Sequence, residues 1–274
     1  MKILVTDLDG TLFYPKDKKA MICKENLDFV RNFIDKGNKL VVCSGRSIDY
    51  CKKVERRINR PIGMICYNGA VSADGEDEYA YFCINNKQAE ELIDIVFDEY
   101  KIPGVFIMTD DGVFVRTKTK VQLIRRFYKF CYEFEKIYAE TFHLSVNKYD
   151  YELKKGNIHK IMLYFGVSPK AKKKAREINR VLRENYSDLE FSWSNNVIEI
   201  TNVECSKGNA IKQFIKHSAI DRNNVYVVGD SGNDISMFKA FHENSFCLSH
   251  GHKAVKKYAS HEIDKFIDLE KYLF

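Results

Sequence analysis

The 274-residue sequence lacks the features of a membrane or secreted protein. No apolar run approaches the ~18 residues that a membrane-spanning helix requires. The first residues lead directly into a short apolar segment, without the charged and then apolar leader of a secretory signal. We therefore expect a cytoplasmic protein with no membrane partner.

The cysteines lack the spacing typical of a zinc site or a disulfide framework. Eight cysteines are scattered along the chain, and none forms a Cys-x-x-Cys pair. We expect most of them to be small core residues in a reducing compartment.

A strong charge and a dinucleotide-binding fingerprint are also missing. The net charge of +6 is too small, and its lysines and arginines too dispersed, to indicate a nucleic-acid partner, although it favours an anionic small substrate. No Gly-x-Gly-x-x-Gly motif follows the first apolar segment, which argues against a Rossmann dinucleotide enzyme.

The two ends of the chain have the pattern of a doubly wound α/β protein. Apolar segments at 3–5, 39–43 and 62–66 predict buried strands, and helical spacing of apolar residues predicts the helices between them. The pattern returns with strands at 198–201, 224–228 and 245–248 and a helix that begins at Lys207. This alternation predicts a parallel sheet covered by helices.

The middle of the chain has a different pattern. Turn residues between short strands predict hairpins at 71–82 and 105–116, and helical segments are predicted at 87–100, 121–138 and 170–184. We interpret this block as a smaller α+β domain inserted into the first. The predicted boundaries are 1–81 and 191–274 for the core and 82–190 for the insertion.

Two carboxylates, Asp7 and Asp9, directly follow the first predicted strand. Carboxylates this close repel unless a cation lies between them or one is protonated. Oxygen ligands suit Mg²⁺, so the pair indicates a hard-metal site. The alternative is an ordinary strand that ends in an Asp-Gly turn.

Other predicted strands and helices supply matching partners, and the carboxyl ends of parallel strands face one crevice. Asp230 could hold Mg²⁺ together with Asp7, while Ser44 and Gly45 offer a hydroxyl and backbone N–H groups to a phosphate. Lys207 supplies a positive charge for a phosphoryl group. Asp7 would then be free to act as a nucleophile, with Asp9 as general acid and base.

Four segments closely resemble the four motifs of haloacid dehalogenase (HAD) superfamily phosphatases. They are Asp7-Leu-Asp-Gly-Thr-Leu12, Ser44-Gly-Arg46, Ser206-Lys207-Gly208 and Gly229-Asp-Ser-Gly-Asn-Asp-Ile-Ser-Met237. The long segment between the second and third motifs resembles the Cof-type, or IIB, group, which carries a large C2-type cap there.

The resemblance implies a role for each matching residue. Asp7 would be the nucleophile and a Mg²⁺ ligand, Asp9 the acid/base whose backbone carbonyl also reaches the metal, and Asp230 a further ligand. The phosphate contacts would be the Leu8 backbone, Ser44, Gly45, Lys207 and Asn233. Thr11 would support the geometry of the loop, and Asp234 would orient Lys207 or a metal-bound water. Arg46 is expected near the site, with a cap or salt bridge on the helix that it begins as the alternative.

The function expected from this resemblance is Mg²⁺-dependent hydrolysis of a small phosphorylated metabolite, foremost a sugar phosphate, through an aspartyl-phosphate. A cap would exclude water and select the substrate. A sugar phosphomutase and a non-catalytic phosphometabolite-binding protein are the alternatives. We expect a monomer or weak homodimer.

One departure from the family pattern is the turn Ser249-His250-Gly251-His252, where such proteins commonly carry Met-Gly-Asn-Ala. We interpret its histidines as turn residues and not as a metal site.

Overall fold

The computed structural model describes residues 1–17, 20–80, 82–117, 142–166, 168–194, 197–218 and 220–274. The chain divides into two compact units, Met1–Tyr81 with Cys205–Phe274, and Phe82–Glu204. The helix predicted at 121–138 lies outside the described residues.

The strands and helices are numbered here in chain order. The strands are β1 (Ile3–Thr6), β2 (Lys39–Cys43), β3 (Gly63–Cys66), β4 (Val71–Asp74), β5 (Asp77–Ala80), β6 (Gly104–Thr109), β7 (Gly112–Thr117), β8 (Phe142–His143), β9 (Lys160–Tyr164), β10 (Leu189–Ser194), β11 (Val197–Asn202), β12 (Val225–Gly229), β13 (Ser245–Leu248) and β14 (His261–Ile263). The helices are α1 (Lys24–Asp35), α2 (Ile48–Ile58), α3 (Asn86–Asp98), α4 (Val146–Lys155), α5 (Pro169–Asn185), α6 (Lys207–His217), α7 (Ile235–Ala240), α8 (Lys253–Lys256) and α9 (Glu270–Leu273). None of these helices is long and apolar enough to cross a membrane.

The first unit is built on an eight-stranded sheet in the order β14-β13-β12-β1-β2-β3-β4-β5. The strands from β14 to β3 are parallel, and the β4–β5 hairpin extends the sheet in antiparallel pairing. Every residue of β1 and β3 is buried, as expected of parallel strands that are covered on both faces. The predicted α/β class is therefore confirmed.

Serine caps start two of the helices that follow strands of this unit. The Ser47 side chain accepts a hydrogen bond from the Tyr50 N–H at the start of α2, and Ser206 accepts one from the Asn209 N–H at the start of α6. An N-cap hydroxyl satisfies a backbone donor that the helix itself leaves unpaired. Arg46 directly precedes the first of these cap residues, and Lys207 directly follows the second.

The second unit has a six-stranded sheet in the order β10-β11-β9-β6-β7-β8. All pairs in it are antiparallel except β7 with β8. Buried side chains of α3, α4 and α5 form one apolar cluster with those of the strands. This unit is therefore α+β, with its own core.

The predicted return to the core at residue 191 needs a correction, because the second unit continues to Glu204. β11 pairs with β9 and β10 of the second sheet, not with the parallel strands. Its burial alternates over the first four residues: Val197 and Glu199 are half-buried, and Ile198 and Ile200 are fully buried. That alternation is typical of an antiparallel strand with one buried face, whereas β1 and β3 of the parallel sheet are buried at every position.

Replacement of Ile200 by alanine tests whether this face of β11 is part of the buried core of the second unit. Ile200 is fully buried in the core of the second unit, so Ile200→Ala should lower the free energy of unfolding by about 2–5 kcal/mol. The matched control is Val203→Ala, three residues further on and 46% exposed, which should change it by less than about 0.5 kcal/mol. Urea denaturation measures both. Equal losses in the two variants would contradict the assignment.

Candidate active site

The carboxyl edge of the parallel sheet brings together residues that are far apart in sequence. β1 lies between β2 and β12, with Thr6 level with Val42 on one side and Val228 on the other. The Asp7 N–H continues the ladder and donates to the Val228 carbonyl at 3.0 Å. Asp7 and Asp230 therefore follow adjacent strands at the same edge of the sheet, one residue apart in register.

The loop after β1 packs closely against Asp230. Gly10 has a φ of +83°, and a Cβ there would lie 2.5 Å from Asp230 Oδ2, so only glycine fits. Thr11 is fully buried and its hydroxyl donates to Asp230 Oδ1 at 2.8 Å. Leu8 is also buried, and its carbonyl accepts from the Phe13 N–H. The predicted residues of this loop are thus held in one compact turn.

The Lys207 side chain is buried between two carboxylates. Its Nζ donates to Asp7 Oδ1 at 2.5 Å and to Asp234 Oδ1 at 2.6 Å. Burial alone would lower the pKa of Lys207, but the charges of Asp234 and Asp7 outweigh burial and raise it. Lys207 is therefore a permanent cation inside the protein.

Asp234 uses its carboxylate to organise neighbouring groups. Its Oδ1 accepts from Lys207, and its Oδ2 accepts from the backbone N–H groups of Asp230 and Ser231 at 2.9 Å each. The side chain is fully buried. With both oxygens engaged, Asp234 positions Lys207 and the loop after β12.

Three carboxylates converge at this edge. Asp7, Asp230 and Asp234 each offer an oxygen, and these atoms lie within 4.8 Å of one another. Burial raises the pKa of Asp7 to about 7 against the pull of Lys207, and burial also raises the pKa of Asp230. Both shifts show that ionised carboxylates are costly here without a further cation.

This donor set fits a hard divalent cation. Three carboxylates face one ammonium, so negative charge is in excess. Among the described residues, Oδ2 of Asp7 and Oδ2 of Asp230 accept no hydrogen bond, whereas both oxygens of Asp234 do. Oxygen donors of this kind are the ligands of Mg²⁺ in proteins.

The carboxylate of Asp9 points to a different partner. Arg46 donates to both Asp9 oxygens, from Nε and Nη2, at 2.9 Å each. The guanidinium also lies 4.7 Å from the ring centre of Tyr50. The Asp9 side chain is 51% exposed, so it is the accessible carboxylate of the site. The structure thus separates the two aspartates of the first motif.

Three of the five residues predicted to contact phosphate, Ser44, Gly45 and Asn233, lie around Asn68. Ser44 is buried and its carbonyl accepts from the Asn68 N–H, while a Cβ on Gly45 would lie 3.0 Å from Asn68 Oδ1. That Oδ1 accepts from Asn233 Nδ2 at 3.1 Å. Asn68 was not among the predicted site residues. Its φ of +60°, next to Tyr67 at +53°, marks a strained turn, and its signal in the sequence is an Asn-Gly pair directly after a strand.

The two histidines of the 249–252 turn have different environments. His252 Nδ1 accepts from the Ala254 N–H and caps α8. His250 stacks on Tyr14 with ring centres 4.0 Å apart, and its Nε2 lies 3.7 Å from Asp230 Oδ2. Neither belongs to the acidic cluster of the described residues. Only His250 lies beside it.

The chain combines an α/β core with an α+β insertion, and an acidic cluster and a buried lysine lie at the carboxyl edge of the core. This combination is typical of a class of hydrolases. The sequence model of the haloacid dehalogenase-like hydrolases matches residues 4–267, and the chain belongs to this family.

Individual proteins that resemble this chain are also phosphatases by name. The chain is 28% identical to a Mycoplasma genitalium protein with a provisional name as a phosphatase, over 96% of this chain and 91% of the relative. It is 22% identical to the Bacillus subtilis 5-amino-6-(5-phospho-D-ribitylamino)uracil phosphatase, over 87% of this chain and 85% of the relative. A solved HAD subclass IIB sugar phosphatase has a TM-score of 0.72 at 19% identity, covering 100% of this chain and 96% of that one. The predicted family and enzyme class, a phosphatase of this superfamily, are confirmed.

Removal of the buried ammonium should destabilise the protein. Lys207→Ala leaves Asp7 and Asp234 buried without their counterion, so we expect a loss of about 3–5 kcal/mol in the free energy of unfolding. Lys212→Ala, at an exposed position of the same helix, should change it by less than about 0.5 kcal/mol. Urea denaturation compares the two. Coincident transitions would show that the buried ion pairs do not hold the site.

Proposed function

We propose that this protein is a Mg²⁺-dependent phosphomonoesterase that acts on a small phosphorylated metabolite through an aspartyl-phosphate on Asp7. The observation that carries the proposal is the buried Lys207 ammonium, shared by Asp7 and Asp234 beside carboxylate oxygens that accept no hydrogen bond among the described residues. A nucleophile needs a counter-charge close by, and a phosphoryl group needs cations around it.

Asp7 and Asp230 would hold the Mg²⁺, with the backbone carbonyl of Asp9 as a further ligand. When bound, the ion neutralises the charge of the site and of the phosphate. Lys207 holds Asp7 Oδ1 by a hydrogen bond, which would keep the nucleophilic carboxylate in a fixed orientation. Ser44, with Gly45 and Asn233, would position the phosphate oxygens by hydrogen bonds.

The reaction divides into two proton-coupled steps. In the first, an Asp7 oxygen attacks phosphorus, the bond to the substrate oxygen breaks, and Asp9 gives its proton to the departing alkoxide. In the second, Asp9 takes a proton from the water that attacks the aspartyl-phosphate, which releases inorganic phosphate and restores Asp7. The exposure of Asp9 supports this division, since water and a leaving group can reach it.

Arg46 enters this scheme through its ion pair with Asp9. The two hydrogen bonds from the guanidinium favour the carboxylate form, which is the form needed to accept a proton from water. To donate a proton, Asp9 has to separate from Arg46. Arg46 is thus proposed as a positioning residue for the acid/base.

A sugar phosphate is the proposed substrate class. Among the relatives above, one is named for a phosphorylated ribityl compound and one as a sugar phosphatase. Both names describe phosphate esters of polyhydroxylated compounds. We therefore propose a polyhydroxylated phosphate ester for this chain.

The first test is phosphate release from a panel of sugar phosphates, with and without Mg²⁺. Asp7→Asn should lower turnover by at least about 10³-fold because the nucleophile is gone. Asp28→Asn, at an exposed position of α1, is the matched control and should retain wild-type turnover. Turnover by Asp7→Asn at the wild-type rate would contradict the proposal. Transfer of the phosphoryl group to another hydroxyl of the sugar, without release, would identify a phosphomutase instead.

The role of Asp9 is tested with two leaving groups. Asp9→Asn cannot protonate an alkoxide, so hydrolysis of a sugar phosphate should fall by about 10²–10⁴-fold. The first step with p-nitrophenyl phosphate should fall much less, because nitrophenolate departs without a proton. Burst-phase kinetics separate this step from the second. An equal loss of the first step with both substrates would exclude Asp9 as the general acid.

A further inference from the structure

The inserted unit contains a group of reactive side chains that the proposed phosphatase chemistry does not use. Cys83 Sγ lies 3.5 Å from His159 Nδ1, and Nε2 of the same ring lies 2.6 Å from Asp110 Oδ1. A thiol, an imidazole and a carboxylate in this order form the arrangement that activates nucleophilic cysteines. All three belong to the unit Phe82–Glu204.

The backbone holds Cys83 and His159 opposite each other. Ile84 and Ile158 form an isolated antiparallel bridge, in which the Ile84 N–H donates to the Ile158 carbonyl at 2.8 Å. In antiparallel pairing, the residue before Ile84 faces the residue after Ile158, at side-chain contact distance. Asn202 Nδ2 also donates to the Cys83 carbonyl at 3.1 Å. The short sulfur–imidazole distance therefore follows from the backbone register.

Asp110 determines which nitrogen of His159 carries the proton. The second carboxylate oxygen of Asp110 accepts from Asn157 Nδ2 at 3.0 Å, which fixes the carboxylate in the turn between β6 and β7. An ionised carboxylate only accepts hydrogen bonds, so it selects the tautomer with the proton on Nε2. The Nδ1 lone pair then faces the sulfur, and the fully buried ring is placed as a base for the Cys83 thiol.

We propose that Cys83 is a modification site that exchanges with small disulfides, with His159 as its base and Asp110 as the positioning residue. The S–H proton passes to His159 Nδ1, and the sulfur attacks one sulfur of the disulfide. The disulfide bond breaks, and the departing thiolate takes the proton from His159. The products are a mixed disulfide on Cys83 and one free thiol, so atoms and electrons balance.

The base is needed because the surroundings of Cys83 disfavour a free thiolate. Burial raises the pKa of the Cys83 thiol, and the charge of Asp110 raises it further. Transfer of the proton to His159 instead creates an imidazolium between two negative groups, the thiolate and Asp110. The reactivity of Cys83 thus depends on His159.

Peptide-resolved mass spectrometry of the full-length protein with 2-hydroxyethyl disulfide measures the exchange. Cys23 is the internal control, since it is partly exposed like Cys83 and caps α1 without a side-chain hydrogen bond. We expect Cys83 to react about tenfold faster than Cys23 or more. A rate at Cys83 equal to or below that at Cys23 overturns the proposal.

Two variants test the base. His159→Gln should slow exchange at Cys83 by about tenfold or more and leave Cys23 unchanged. Because His159 is fully buried, Asp110→Asn is the second variant: its carboxylate is 36% exposed, and the loss of the tautomer-setting charge should also slow Cys83. Wild-type rates at Cys83 in Asp110→Asn, or in a folded His159→Gln, overturn the proposal. Peptide mass is the readout, so the outcome does not depend on the phosphatase reaction.

Discussion

The ion pairs of the buried Lys207 ammonium are the interactions on which the catalytic edge depends. Lys207 begins α6, Asp7 follows β1 and Asp234 follows β12, so one cation joins three segments that are distant in sequence. An unpaired charge at this depth would be strongly destabilising, which makes the three segments mutually dependent. Negative charge nevertheless remains in excess, because Asp230 is a third carboxylate at the same edge. The structural ion pairs and the proposed metal site are thus parts of one electrostatic arrangement.

The two aspartates of the first motif differ because of their surroundings. Asp7 is buried next to Lys207, while Asp9 lies two residues further along a turn and is paired with Arg46 at the surface. A buried carboxylate with a fixed cation suits a nucleophile, and an accessible one suits proton exchange with water. The partners distinguish the two aspartates: Lys207 for Asp7 and Arg46 for Asp9.

The bounds of the parallel core strands other than β14 were predictable to within about a residue, whereas the end of the insertion was not. Core strands such as β2 and β13 are short apolar runs bounded by turn residues, and the predicted ranges match the observed ones. β11 was predicted as a strand, but its sheet was assigned incorrectly, because a short apolar strand can pair with either neighbour. β14 was not predicted, since its three residues at the sheet edge include His261 and Glu262.

The sequence by itself determined the family and the α/β class, and it indicated which charged groups stand at strand ends, because these depend on local patterns: buried runs, turn residues and motifs. Only the tertiary structure decided the partners, such as Arg46 for Asp9, Asn68 for Asn233 and His159 for Cys83. These pairs join segments up to 165 positions apart. Strand order and register determine such distances, and both result from the packing of the whole sheet, not from any single segment.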